Sequence, residues 1–121
     1  MPSRVNIYHA GFGGDPDKVV YSYVDEKGRY DKDICETAFE LFNAPLELIK
    51  DDKEYFIATD YRSKRLRSLS VGDIVQVDEV KWVCLPFGWQ KKVDYDRENK
   101  GDDVIFTRNV DNVPGVSRSI G

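Results

Sequence analysis

Residues 71–85 alternate apolar and polar side chains twice over, and this pattern restricts the fold more firmly than any other part of the chain. Val71, Asp73, Val75 and Val77 alternate with Ile74, Gln76 and Asp78; Val80, Trp82 and Cys84 then alternate with Lys81, Val83 and Leu85. A period of two sends successive side chains to opposite faces of an extended backbone, so the segment is expected to form two strands of a hairpin. Its turn falls on Asp78-Glu79, which lack the glycine that a two-residue connection prefers, so a longer or strained loop is expected there. Pro86-Phe87-Gly88-Trp89 ends the second strand and turns the chain.

Further strands are expected where the same alternation or a run of Val and Tyr recurs, at Val5 to Ala10 and at Val19 to Val24. Between them, the glycines and proline of Gly11 to Asp17 make a loop, and Gly28 allows a tight turn after the second strand. Asp33 followed by Glu36 has the form of a helix start, in which each side chain satisfies a free backbone N–H. The helix expected over about residues 33–43 puts Ile34, Ala38, Leu41 and Phe42 on one face, with Cys35 and Phe39 at its margin, and stops before Pro45. Leu46 to Lys50 reads as a short helix or an irregular bridge, Tyr55 to Ala58 as a short strand, and Val104 to Phe106 as a last strand. Strands with hairpin connections around one helix predict an α+β domain: a small, mainly antiparallel sheet, one packed helix and a C-terminal hairpin. The domain is expected to span residues 1–109, with 110–121 as a mobile tail.

Composition narrows the function classes. The 121 residues carry 18 basic and 22 acidic side chains, a net charge of -4, which argues against a protein that coats nucleic acid over its whole surface. No uninterrupted apolar run is longer than Trp82 to Leu85, far short of a membrane span, and the N-terminus lacks an apolar export signal, so a cytoplasmic location is expected. Cys35 and Cys84 are too few for a disulfide framework and lack metal-ligand spacing; they are expected as buried free thiols.

No group of residues has the pattern of a catalytic centre. Gly11, Gly13 and Gly14 suggest a phosphate cradle, but Pro16 and a strand follow where a dinucleotide motif needs glycine and a helix, so a plain turn is expected. Asp15 and Asp17 supply too few oxygens for a hard cation. His9, the single histidine, is a general base only if Asp15 or Asp17 orients it, and no nucleophile lies near it in sequence. The most suggestive charge feature is Arg62, Lys64, Arg65 and Arg67, four bases within six residues, preceded by Tyr61 and followed by Trp82, expected in the core, and Trp89, expected as an exposed contact. Bases beside exposed aromatics fit an acidic protein partner or the phosphates and bases of single-stranded nucleic acid; they also fit a solvated loop.

The block Arg67-Ser68-Leu69-Ser70-Val71-Gly72-Asp73-Ile74-Val75-Gln76-Val77-Asp78, with Trp82-Val83-Cys84-Leu85-Pro86-Phe87-Gly88-Trp89 after it, resembles a block in small proteins of bacteria, phages and plasmids, and is similar to the YodL-like domains of mobile elements. It departs from that pattern at Glu79, where glycine is usual. The resemblance covers about a quarter of the chain; it implies a cytoplasmic accessory protein and brings no catalytic residues. The expected function is a small protein-binding module, such as an inhibitor of a host enzyme, whose candidate contact residues are Tyr61, Arg62, Lys64, Arg65, Arg67 and Trp89. No cofactor, metal or membrane is expected. Nucleic-acid binding through the 62–67 segment is the alternative, and a small hydrolase built on His9 the second alternative.

Overall fold

The computed structural model describes residues 2–11 and 13–100, with Lys100 by its backbone alone. Five strands, β1 (Ser3–Tyr8), β2 (Val19–Asp25), β3 (Ile74–Val77), β4 (Val80–Cys84) and β5 (Trp89–Lys91), build one sheet in the order β2-β1-β3-β4-β5. Every neighbouring pair is antiparallel, as the α+β expectation required. The helices are α1 (Asp31–Asn43), α2 (Asp52–Ser63) and α3 (Lys92–Lys100), with a 3₁₀ turn at Leu46–Leu48. The described chain thus holds three helices where one was expected.

Strand alternation divides the apolar side chains between two layers. Val5, Ile7, Tyr21, Tyr23, Val75, Val77, Trp82 and Cys84 point to one face and pack with Ile34, Ala38, Leu41 and Phe42 of α1 and with Ala58 and Tyr61 of α2. Burying each of these aliphatic side chains contributes roughly 1.5–3 kcal/mol, which fixes the register of every strand, because a slip of one residue would turn the whole set to water. On the opposite face Tyr8, Ile74 and Val83 form a smaller cluster with Tyr95 of α3 against it. Two indoles pin α1 to the sheet: Trp82 Nε1 donates to Asp31 (3.3 Å) and Trp89 Nε1 to Glu36 (3.1 Å).

Four local expectations are corrected or narrowed. Tyr55 to Ala58 is not a strand but the second turn of α2, whose N-cap Asp51 accepts from the Glu54 N–H at 3.0 Å. Asp33 does not cap α1, which begins at Asp31 after Tyr30; Asp31 and Asp33 instead place negative charge in its first turn, where the helix dipole favours it. The hairpin turn is not lengthened, since Val77 pairs with Val80; of the two alternatives the strained one is found, with Asp78 in the left-handed conformation (φ 53°) that aspartate tolerates better than most residues. Trp89 is not an exposed contact; it pairs with Cys84 and is 8% exposed, packed edge-on against Phe39. The strand expected at Val104 to Phe106 and the tail from 110 lie outside the described residues.

Candidate functional site

Three places hold the residues that chemistry or recognition would use. The first is a polar knot where the end of β1 meets the segment leading into β3. Asp73 is fully buried and receives a two-pronged ion pair from Arg67, whose Nη1 and Nη2 lie 2.7 and 2.9 Å from its two oxygens. The same carboxylate accepts the backbone N–H groups of Gly11 (2.9 Å) and Ser70 (2.8 Å), and Arg67 Nη2 also donates to the Gly11 carbonyl (3.0 Å). Burial by itself would raise the Asp73 pKa; the Arg67 guanidinium and the two N–H donors outweigh it and hold the carboxyl below its ordinary range. Two glycines of the loop after β1, Gly11 and Gly14, are required by close packing. A Cβ on Gly14 would stand 1.4 Å from the His9 carbonyl oxygen, and one on Gly11 2.7 Å from that of Val71.

His9 joins this knot through Tyr61. The Tyr61 hydroxyl gives its one proton to the Arg67 carbonyl (2.6 Å), so it can only accept from His9 Nε2 at 2.7 Å. His9 therefore carries its proton on Nε2 and presents Nδ1 as an acceptor. Partial burial and then the nearby Arg67 charge lower its pKa, against a smaller opposing effect from Asp73, so the ring is neutral at neutral pH. Its partner is Tyr61 rather than Asp15, which instead accepts the Asp17 N–H at 2.9 Å within its own turn. Among the described residues no group of three or more His, Cys, Asp or Glu side chains is arranged to hold a metal ion. Both cysteines are free and buried; burial pushes the Cys84 thiol up to about 11 and the Cys35 thiol higher still, which suppresses the thiolate.

The second place is the basic segment, and the fold spends much of it on itself. Arg62, in the last turn of α2, donates to the Leu41 (3.0 Å) and Ala44 (2.7 Å) carbonyls, closing the end of α1. Arg67 belongs to the knot, and Tyr61 is fully buried, stacked on Phe42 with ring centres 3.9 Å apart. Lys64 is exposed and pairs with Asp60 (3.1 Å), and Arg65 is exposed at a left-handed φ of 60°. Of the six expected contact residues, Lys64 and Arg65 face solvent, Arg62 and Arg67 are partly buried, and Tyr61 and Trp89 lie in the core.

The third place was not anticipated as a site. β2 is the end strand of the sheet, and its backbone direction follows from that of β1. The Arg4 carbonyl accepts from the Asp78 N–H (2.8 Å) and the Arg4 N–H donates to Asp78 Oδ1 (3.0 Å), so both Arg4 groups face the β3 side. In an antiparallel ladder bonded and non-bonded pairs alternate. Arg4↔Val24 and Asn6↔Ser22 are accordingly non-bonded pairs, and Ser22 and Val24 turn their N–H and C=O groups outward to the free edge. Beside this edge runs a groove of about 610 Å³ between β2 and α2, lined by Val24, Asp25, Lys27, Asp51, Phe56 and Ile57 among others. Val24 (44%) and Phe56 (69%) are both well exposed there. Its walls are braced by ion pairs, Lys27 with Asp51 (2.8 Å), Lys53 with Glu26 (2.7 Å), and Arg29 with Glu54 and the buried Asp25. Beneath it the Tyr23 hydroxyl is buried without a hydrogen-bond partner, and burial raises its pKa.

The chain matches no protein-family model, no curated protein and no solved structure. No helix among the described residues is long and apolar enough to cross a membrane.

Proposed function

We propose that this chain is a protein-binding module that works without turnover, docking an extended segment of its partner along the free edge of β2. The observation that carries the reading is the outward set of Ser22 and Val24 backbone groups beside a groove with Phe56 and Val24 at its rim. An unpaired ladder gives a peptide main-chain hydrogen bonds, and an adjoining apolar groove selects its side chains. An accessory protein of a phage or mobile element, acting in the cytoplasm on a host enzyme, needs no more than such a surface. The basic segment supports nucleic-acid binding less well, since Arg62 and Arg67 are held by Leu41, Ala44 and Asp73. The hydrolase reading is supported less well too, since the hydroxyl bonded to His9 is that of the buried Tyr61, which gives its proton to the Arg67 carbonyl.

The test is selection from a displayed library of extended peptides, with Ser22→Pro as the counter-variant. Proline removes an outward N–H and leaves the β1 ladder whole, because that N–H makes no bond to β1. Peptides with alternating apolar positions, held by the wild type and released by Ser22→Pro, are the expected result. A library that yields no edge-dependent peptide refutes the reading.

A further inference from the structure

We infer that the partner fitted to the β2 edge is a second copy of this chain, joined through a two-fold axis at Ser22; this rests on reading that edge as the docking surface. Residues 20–24 spell Val-Tyr-Ser-Tyr-Val, which is the same in both directions. Antiparallel pairing of two such strands about Ser22 sets Ser22 against Ser22, Tyr21 against Tyr23 and Val20 against Val24, so each residue meets its own kind. The outward N–H and C=O of Ser22 then bond reciprocally to those of the other Ser22, and the two five-stranded sheets become one sheet of ten. Such a contact is closed and self-complementary, as a two-fold interface must be.

The ends of the strand select this register. With Ser22 on the axis, Lys18 just before the strand comes near Glu26 just after its end, two pairs of opposite charge over the two copies. A slip of one residue sets the outward Ser22 and Val24 groups against residues whose N–H and C=O face β1, and a slip of two sets Lys18 against Gly28 or against Val24. The first loses the ladder bonds and the second the charge pairs, so slipped registers are penalised. Both side chains are exposed, although Glu26 also bonds to Lys53 of α2. From residue 20 to residue 24 the edge carries no charge and no proline, the devices that ordinarily keep end strands apart. The single irregularity, a bulge opposite Ile7 and Tyr8, lies at the N-terminal end of β2 and leaves the Tyr21–Val24 stretch regular. Phe56, beside the C-terminal half of β2, gains cover from the approaching N-terminal half of the other strand.

The register can be trapped covalently. In the bonded central pair the two residue-22 Cα atoms stand about 5.5 Å apart, within disulfide reach. Two residues at position 24 are offset by four positions, about 13 Å, beyond it. Under mild oxidation Ser22→Cys should become a disulfide dimer while Val24→Cys stays monomeric; the native thiols are buried and do not compete. Sedimentation equilibrium of the wild type should show a monomer–dimer equilibrium, with Kd raised roughly tenfold or more by Ser22→Pro. Lys18→Glu should weaken the dimer, and Lys18→Glu with Glu26→Lys should restore it. A wild type that stays monomeric at every loading, with no cross-link at position 22, overturns self-pairing and leaves peptide capture by the edge standing. Equal cross-linking at positions 22 and 24, or a dimer indifferent to Ser22→Pro, overturns the two-fold register.

Discussion

At the scale of single residues, Asp73 is the polar side chain on which most depends. It is buried, and it ties Arg67, Gly11 and Ser70 to one carboxylate, so Asp73→Ala strands a guanidinium and two N–H groups together. The expected cost is about 3 kcal/mol, read from urea unfolding monitored by tryptophan fluorescence. Gly14→Ala should cost a similar amount, roughly 3 kcal/mol, since its Cβ would overlap the His9 carbonyl and the backbone must move. Acid should act in two steps of the same sign. His9 has a folded pKa below 6.5, so the unfolded chain binds the proton first; stability falls as pH drops from about 6.5 toward the folded value and is then level. Asp73, with a folded pKa below 3.8, contributes stability that is complete above that value and is lost as pH falls through the folded one. His9→Gln keeps a donor for Tyr61 and should abolish the first step alone in urea midpoints measured from pH 7.5 to 4.5. A first step that persists in His9→Gln would assign it elsewhere.

At the scale of elements, the comparison of α1 and α2 shows what was legible in the sequence and what was not. The buried face of α1, Ile34, Cys35, Ala38, Leu41 and Phe42, follows directly from its spacing. The apolar run Tyr55 to Ala58 is too short to separate strand from helix by periodicity, and Asp51 with Glu54 three residues on was the signal that separates them. Asp51→Ala should therefore cost about 1 kcal/mol and lower the helical signal in circular dichroism. The hairpin's two strands were legible because alternation runs through both, whereas its turn was expected to be longer or strained for want of a glycine. Trp89 was misread because exposure was judged from the neighbouring Gly88, whereas β5 pairing with β4 decides it. The basic run was plain as charge, but the groups that hold Arg62 lie on the end of α1, and no local pattern reveals them. β2 was legible as a strand; its place at the edge was not, because strand order is a property of the assembled sheet.

At the scale of the whole molecule, stability should be graded across the sheet. β1 and β3 are flanked on both sides, whereas β2 and β5 are each bonded on one. Native-state hydrogen exchange should be slowest at Val5, Ile7 and Val75, whose side chains are fully buried and whose strands are interior. Ser22 and Val24 should exchange fast in dilute solution and slow down as concentration rises, because their N–H groups meet water until another strand covers them. Fast exchange at Ser22 that ignores concentration would count against self-pairing. Reversal of the exposed Arg65 to Glu should leave the unfolding midpoint almost unchanged, within about 0.5 kcal/mol, while Arg67→Glu should unfold the knot.

The sheet order also bears on how the chain is made. β1 leaves the ribosome before the other four strands and can pair with β2 as soon as that strand emerges, yet its other side is completed only by β3, with Val5 waiting for Val77 and Ile7 for Val75. Throughout translation of α1 and α2 the nascent protein carries a two-stranded ribbon with Val5 and Ile7 uncovered on one flank, an invitation to chaperones and to neighbouring nascent chains. Ribosomes stalled before residue 74 should therefore display a sticky, protease-sensitive intermediate that a few dozen further codons convert into a resistant one.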